Sequence, residues 1–266
     1  MKIIVCVKQV PDTSGKVAVN PDGTLNRASM ATITNPDDLN AVEAALVLKE
    51  QTGAEVVVVS MGPPPAEGML RECLARGCDR AVLVSGREFG GSDTYATSQI
   101  LAAAINKIGV EENDIVMCGR QAIDGDTAQV GPQIGEKLGL PQITYAADIA
   151  IDGKTVTVKR MLEDGYMTVK TQTPCLITCI KELNEPRYMS VYGIFDCYSK
   201  PYEVLDYNAL KDDPLIDPST IGLMGSPTNI LTSFTPHQKG AGMMLEGADK
   251  ATCDQLAGML AAKHMI

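Results

Sequence analysis

Aromatic and histidine side chains are scarce in this sequence of 266 residues, which has no tryptophan, three phenylalanines and two histidines. So few aromatic rings leave little material for the stacking platforms by which proteins hold single-stranded nucleic acid. The two histidines, His237 and His264, both lie late in the chain. Because acid–base and nucleophilic catalysis most often depends on histidine, the sequence argues against an active site of that kind.

Long apolar runs and basic clusters are also missing. No run approaches the roughly 20 apolar residues that a bilayer crossing requires, so we expect no membrane span. The formal net charge is −10, and lysine and arginine are not clustered, which argues against nucleic acid as a partner. An acidic surface of this kind is compatible with a soluble protein that meets basic partner surfaces.

The eight cysteines include no Cys-x-x-Cys pair. Cys6, Cys118 and Cys179 fall within apolar, strand-like runs, where a thiol behaves as a small hydrophobe. We expect buried free thiols, and a metal or iron–sulfur site is the alternative. The first residues predict a buried strand rather than a signal peptide, so we expect the protein in the reducing cytoplasm.

The first ~150 residues alternate short apolar runs with segments of helical period, as in a parallel sheet covered on both faces. The predicted strands cover residues 2–7, 55–60, 80–85, 114–118 and 142–149. Helices are predicted to begin after Asn35 as N-cap, near Ala66, near Ser92 and near Asp126. A hairpin turn at Asp152-Gly153 and strands over 166–171 and 175–180 predict an antiparallel extension. The expected fold is therefore α/β, with a doubly wound, mostly parallel, Rossmann-like sheet suited to an adenine nucleotide.

The chain from about residue 190 to 240 is rich in Pro, Gly, Ser and Asp, and only a helix near 251–263 is predicted beyond it. So long a stretch with little regular structure is poorly accommodated by a lone compact domain. We predict a nucleotide-binding domain over 1–190 and an extended C-terminal arm over 191–266 that packs on a partner subunit. Disorder is the alternative, against which the embedded Tyr, Phe, Leu and Ile argue.

Residues 119–132, which follow the fourth predicted strand, have a composition suited to a nucleotide. In a doubly wound sheet, ligands bind beyond the carboxyl ends of the strands where the winding direction reverses. If the first and fourth strands flank that reversal, this loop meets the end of the first strand there. Its glycines let the backbone approach a ligand, and a helix start near Thr127 offers N–H groups to a phosphate.

Two acids in this loop, Asp124 and Asp126, would repel a phosphate at close range. We expect one of them to cap the helix and the other to accept hydrogen bonds from ribose hydroxyls. Thr127 and Gln129 can add side-chain hydrogen bonds. A merely well-capped helix is the alternative, because the loop matches neither Gly-x-Gly-x-x-Gly nor a P-loop.

A second candidate segment, residues 90–97, follows the third predicted strand at the same edge of the sheet. The hydroxyls of Thr94 and Thr97 are three residues apart and therefore share one helix face, where they could bond a polar ring edge. An ordinary N-terminal cap is the alternative interpretation.

Several of these segments together resemble the β subunit of electron-transfer flavoproteins, over nearly the whole chain. The main nucleotide loop of that family resembles Gly119-Arg120-Gln121-Ala122-Ile123-Asp124-Gly125-Asp126. Further similarity covers residues 5–11, 35–36 and 59–63, and a family signature over 158–178. Met167 departs from that signature, because the family usually has Glu or Gln there.

The loop argument and the resemblance together give one set of candidate nucleotide-binding residues. They are Cys6, Val7, Asn35, Asp38, Met61, Asp93, Thr94, Thr97, Gly119, Arg120, Gln121, Ala122, Ile123, Asp124, Gly125, Asp126, Thr127, Ala128, Gln129 and Val130. A second set matches the loop by which these flavoproteins anchor to acyl-CoA dehydrogenases. It consists of Leu183, Asn184, Glu185, Pro186, Arg187 and Tyr188.

The resemblance implies that the β subunit holds either AMP, as a structural ligand, or FAD. The segments 93–97 and 222–228, with Gly125, are most like the FAD-holding, electron-bifurcating branch. There, NADH reduces the β-subunit FAD by hydride transfer. One electron then passes to ferredoxin or flavodoxin, and the other passes through the FAD of the α subunit to an acyl-CoA dehydrogenase. The implied subunit carries electrons within a heterodimer, with NADH oxidation as an activity of the complex, and it needs no catalytic residue of its own.

Two other functions are weighed against this one. A stand-alone adenine-nucleotide sensor of the same architecture would end near residue 150 and form a homodimer, and the long continuation argues against it. A small-molecule hydrolase with Asp124 or Asp126 as base lacks a nearby His, Cys or Ser partner in the sequence.

Overall fold

The structure is a computed structural model that describes residues 1–12, 31–228, 231 and 240–266. In chain order its strands are β1 (Lys2–Cys6), β2 (Gln9–Pro11), β3 (Thr32–Thr34), β4 (Glu55–Met61), β5 (Arg80–Val84), β6 (Ile115–Gly119), β7 (Gln142–Asp152), β8 (Thr155–Met161), β9 (Tyr166–Gln172), β10 (Cys175–Cys179) and β11 (Tyr202–Leu205). Its helices are α1 (Pro36–Thr52), α2 (Glu67–Arg76), α3 (Thr94–Ile108), α4 (Val130–Leu138), α5 (Val191–Asp196), α6 (Tyr207–Leu210), α7 (Gly222–Gly225) and α8 (Lys250–Ala262).

Nine strands form one sheet, in the order β11-β5-β4-β1-β6-β10-β7-β8-β9. The strands from β11 to β7 pair in parallel, and β7, β8 and β9 pair antiparallel. From β1 the chain winds outward through β4 and β5, and it then returns to the other side of β1 as β6. The predicted doubly wound sheet with an antiparallel extension is confirmed, and the winding reverses between β1 and β6 as expected.

Both faces of the parallel sheet are buried, which explains why its strands lack alternation of polar and apolar residues. Successive residues of a strand point to opposite faces. Ile3 and Val5 accordingly join the core that includes α1 and α2, whereas Ile4 and Cys6 join the core that includes α3. Seven of the eight cysteines are buried and free, and Cys253 is exposed.

The fourth predicted helix begins later than its sequence indicates. The prediction of a start near Asp126 was wrong, because α4 begins at Val130. Asp126 and Ala128 have φ values of +50° and +54°, which belong to the left-handed region and cannot continue into a right-handed helix. Residues 120–129 are therefore an extended loop between β6 and α4.

The described residues divide into two compact units, one with residues 1–12, 31–228 and 231 and the other with residues 240–266. Parts of the predicted arm, 191–266, belong to each unit, and its residues 229–230 and 232–239 lie outside the described residues. In the first unit β11 extends the parallel sheet beside β5. In the second, α8 is capped by the Asp249 side chain. Packing of the arm on a partner subunit stays a prediction.

We predict that Gly193→Ala destabilises the protein by about 1–3 kcal/mol. A Cβ atom at this position of α5 would lie 2.1 Å from the carbonyl oxygen of Ala75 in α2, and backbone atoms cannot yield as a flexible side chain can. The matched control is Gly165→Ala, whose Cβ would meet nothing within 4 Å. Urea unfolding followed by circular dichroism measures both, and equal midpoints for the two variants would refute the close packing of α5 on α2.

Candidate functional site

A cavity of about 340 Å³ lies at the carboxyl ends of β1 and β6, where the sheet reverses its winding. Its wall combines the end of β1, the start of α3 and the loop after β6. The sequence-predicted residues that line it are Cys6, Val7, Asp38, Met61, Asp93, Thr94, Thr97, Gly119, Arg120, Gln121, Ala122, Gly125, Thr127, Ala128, Gln129 and Val130. The position is the one where doubly wound sheets bind ligands.

Asp38, in the first turn of α1, holds the ends of β1 and β6 together. Its two carboxylate oxygens accept hydrogen bonds from the backbone N–H of Lys8, at 2.8 Å, and of Gly119, at 3.0 Å. Burial raises the pKa of this carboxyl from its ordinary value of 3.8 to about 7, against the effect of these hydrogen bonds. Gly119 must be glycine, since a Cβ atom there would lie 2.4 Å from Asp38 Oδ1.

Asn35 fixes the first half of the loop between β6 and α4. It occupies the N-cap position of α1 as predicted, but its side chain does not cap that helix. Instead, its amide nitrogen donates to the carbonyl of Gln121 at 2.8 Å, and its oxygen accepts from the N–H of Ile123 at 3.1 Å. Asn35 and Ile123 therefore shape the loop without lining the cavity.

The last three residues of this loop keep their backbone N–H groups free. None of the hydrogen bonds among the described residues uses the N–H of Thr127, Ala128 or Gln129. Asp126 and Ala128 also adopt the positive φ values noted above, a conformation that costs energy for residues other than glycine and recurs at ligand sites. Unused donors on a strained loop at a cavity fit an anionic ligand such as a phosphate group.

The two acids of the loop turn away from the cavity. Asp124 accepts from Lys8 Nζ at 2.7 and 2.9 Å, and Asp126 accepts from Gln121 Nε2 at 2.8 Å. Neither lines this cavity, although Asp124 lines the larger cavity described below. The expectation that one of them caps α4 was wrong, because Gln129 is the N-cap residue. A role toward ribose hydroxyls stays a prediction.

The start of α3 is joined both to this loop and to the segment before residue 229. Thr94 Oγ1 donates to Gln129 Oε1 at 3.2 Å. Asp93 caps α3, and its other carboxylate oxygen accepts from the N–H of Thr228 at 2.9 Å. The Asp93 N–H donates to Ser226 Oγ, also at 2.9 Å. The segments 93–97 and 222–228, which were singled out together in the sequence, thus contact each other.

Five residues on the cavity wall are absent from the predicted set of individual residues. They are Lys8, Ser92, Leu101, Cys118 and Gly131, of which Ser92 and Gly131 fall within the candidate segments 90–97 and 119–132. Cys118 could have been found, because it lies beside Cys6 in the register of β6 and β1. Gly131 carries a weaker signal, since its need for glycine depends on the methyl group of Thr178, 2.8 Å from a Cβ atom built there.

A larger cavity, of about 810 Å³, adjoins the first at the ends of β4 and β5. Lys8, Met61 and Ser92 line both cavities. The side chain of Ser60 is buried on its wall, and the Ser60 hydroxyl has no hydrogen-bond partner. The two cavities together offer a ligand more room than the first cavity alone.

The second set of predicted residues lies away from both cavities and rests against α1. Asn184 and Arg187 turn inward to that helix, and Leu183 packs against the core. Glu185 is exposed and Pro186 is half-buried. Tyr188 is 93% exposed. No observation here tests partner binding by these six residues, so that role stays a prediction.

The described part of the chain holds no helix with the length and hydrophobicity that a membrane crossing needs. Nor do its residues bring together three or more His, Cys, Asp or Glu side chains in a group that could hold a metal ion.

The reversal between β1 and β6 and the free N–H groups beside it are features of a doubly wound α/β protein with a ligand site at this edge of its sheet. Residues 22–204 match the electron transfer flavoprotein domain. The chain is 66% identical, over the full length of both, to the acryloyl-CoA reductase electron transfer subunit gamma of Anaerotignum propionicum. It is 50% identical, again over the full length of both, to the electron transfer flavoprotein subunit beta of Clostridium acetobutylicum.

A further relative is the caffeyl-CoA reductase-Etf complex subunit CarD of Acetobacterium woodii, 51% identical over 99% of this chain and 97% of the relative. The chain therefore belongs to the electron transfer flavoprotein family, which confirms the predicted resemblance to its β subunits.

We predict that Gly119→Ala destabilises the protein by about 1–3 kcal/mol, because the new methyl group must push the start of α1 away from β6. Gly68→Ala is the control, since a Cβ atom there meets nothing within 4 Å on an exposed position of α2. The free energy of unfolding in urea checks both. A Gly119→Ala variant as stable as the control would contradict the close approach of Asp38 to β6.

A second prediction concerns pH. Because the pKa of Asp38 is about 7 in the folded state, the folded protein retains a proton that the unfolded chain releases above about pH 4. This carboxyl therefore makes the folded state less stable as the pH rises from about 4 to about 7, by about 4 kcal/mol. Asp38→Asn removes the titration. The stability advantage of the wild type over the variant should shrink across that range in urea unfolding, and parallel pH profiles would refute the assignment.

Proposed function

We propose that the cavity between β1 and β6 binds FAD and that the chain is the β subunit of an electron-bifurcating flavoprotein. The observation that carries this proposal is the set of unused N–H groups from Thr127 to Gln129 on the cavity wall. Those donors would hold the phosphates of the nucleotide. The fit is supported by Asp124 and Asp126, the two acids of this loop, which are paired with other side chains and do not line this cavity.

The choice of FAD over AMP rests on the room beside the first cavity. A cavity of about 340 Å³ is at the small end of the range for ligand sites. The adjoining cavity of about 810 Å³ would admit a ligand that continues beyond its adenosine part. The hydroxyls of Thr94 and Thr97 line the first cavity and can bond the polar edge of a ring. AMP as a structural ligand is the alternative, since a mononucleotide needs the first cavity alone.

The bound cofactor would supply hydride acceptance and one-electron transfer, with NADH as donor. This chain's contribution would be to position the ring and to exclude water. Asp38 and Asn35 keep the loop in shape, and the apolar side chains of Val7, Met61 and Leu101 shield the cavity. No side chain is required as an acid or base, so the scarcity of histidine is no obstacle.

The partners follow from the family and its relatives. One electron would pass to ferredoxin or flavodoxin, and the other would pass through the FAD of an α subunit to an acyl-CoA dehydrogenase. Two relatives named above carry acryloyl-CoA reductase and caffeyl-CoA reductase in their names, which supports a complex with an enzyme of this class. We propose a cytoplasmic heterodimer, with the C-terminal arm packed on the α subunit.

Residues 183–188 would dock the dehydrogenase, together with the exposed apolar side chains that follow them. Those following side chains are Val191, Tyr192, Phe195 and Tyr198, and they and Tyr188 are each at least 74% exposed. We call Tyr188 and these following residues the aromatic surface. A patch of this kind on a soluble protein marks an interaction site, and exposed tyrosine and phenylalanine often anchor interfaces.

The complex purified with its α subunit should release two FAD molecules per heterodimer on denaturation, and chromatography of the extract counts them. Release of one FAD and one AMP would contradict the proposal and return the chain to a simple carrier. The Phe195→Ser complex is a suitable control, because that residue lies in the aromatic surface and lines neither cavity. Its nucleotide content should equal that of the wild type.

A further inference from the structure

Two polar residues of α1, Asn40 and Glu43, are buried although neither lines a cavity. Asn40 is 4% exposed and Glu43 is 7% exposed. Burying an amide or a carboxylate is unfavourable unless its hydrogen bonds are satisfied. The hydrogen bonds of both side chains are satisfied by the segment 184–188.

Asn40 and Asn184 form a reciprocal pair. The amide nitrogen of Asn40 donates to the carbonyl of Asn184 at 2.8 Å and to its side-chain oxygen at 3.0 Å. The amide nitrogen of Asn184 donates back to the carbonyl of Asn40 at 3.0 Å. Three bonds between two residues fix both the position and the orientation of the backbone at 184.

Glu43 holds the other end of the segment through Arg187. Its carboxylate accepts from the backbone N–H of Arg187 at 3.0 Å, and from Nε and one terminal nitrogen of the guanidinium at 2.9 Å each. The carbonyl of Arg187 accepts from the Arg76 guanidinium. The hydrogen bonds with Glu43 and Glu50 raise the pKa of Arg187 above its already high ordinary value, so the guanidinium stays charged. Glu50 also pairs with Arg187, at 2.6 Å, but from the exposed surface.

The next residue after this anchored stretch is Tyr188, whose side chain is almost fully exposed. The side chains of Asn184 and Arg187 bond α1, Glu185 between them is exposed, and the exposed aromatic side chains begin at Tyr188. The bonds from α1 thus determine where the aromatic surface starts and how it is held.

We propose that Asn40 and Glu43 are positioning residues for electron delivery, because they hold residues 184–188 in the shape that the dehydrogenase binds. This inference rests on the proposed function, in which the aromatic surface is the docking site. Asn35 and Asp38 of the same helix hold the nucleotide loop, so α1 supports both sites from one rigid element.

The test compares Glu43→Gln with Glu50→Gln in the heterodimer, using the acryloyl-CoA reductase of Anaerotignum propionicum as the dehydrogenase probe. Glutamine keeps the shape of Glu43 but removes the charge and one acceptor, and it leaves Arg187 with unpaired donors in a partly buried position. We expect KM for the dehydrogenase to rise at least about tenfold, with kcat at saturation unchanged. Glu50→Gln removes a surface pair and should stay within about twofold of the wild type.

The nucleotide content of the Glu43→Gln heterodimer is measured alongside and should match the wild type, which separates positioning from a general loss of structure. Where Glu43→Gln does not fold, Arg187→Lys replaces it, because lysine keeps the charge but cannot form the forked contact with Glu43. The same rise in KM is expected.

Phe195→Ser, in the aromatic surface, distinguishes failure of the docking site from failure of the positioning role. If Phe195→Ser weakens binding of the dehydrogenase and Glu43→Gln does not, the positioning role is overturned and the docking site stands. If neither variant changes KM, the docking site itself is wrong and the positioning role fails with it. A fall in kcat with unchanged KM in Glu43→Gln would also overturn the proposal.

Discussion

The carboxylate of Asp38 is the contact on which the candidate site depends. It brings the first turn of α1 against the ends of β1 and β6 through two backbone N–H groups. Burial disfavours the charged form of this group, and those two donors offset part of that cost. The contact also requires glycine at 119, where a side chain would collide with it. The position of the loop after β6, and hence of the cavity wall, follows from this junction.

Polar residues at the start of α1 and buried within it also hold two other segments of the chain. Asn35 shapes the first half of the loop between β6 and α4, and the N–H groups of its last three residues are free for a ligand. Asn40 and Glu43 bond the segment that precedes the aromatic surface. A helix that packs on this sheet needs only apolar side chains on its buried face. The buried polar side chains of α1 are explained by the loops that they hold.

The sequence predicted the strands better than the contacts between them. The run of valines in β4 and the apolar start of β1 indicated buried parallel strands, because burial on both faces leaves a strong local signal. The start of α4 was misplaced, since positive φ at Asp126 and Ala128 is not encoded by residue type in the way that glycine encodes it. Asn35 was recognised only as a cap, because its true partners, Gln121 and Ile123, are distant in the chain.

Hydrogen–deuterium exchange of the heterodimer, with its nucleotide bound and after its removal, tests the central claim most directly. If the loop between β6 and α4 holds the phosphates, the N–H groups of residues 127–129 should exchange more slowly with the nucleotide bound than without it. Exchange at these positions that is the same in both states, with protection elsewhere in the chain, would contradict the account.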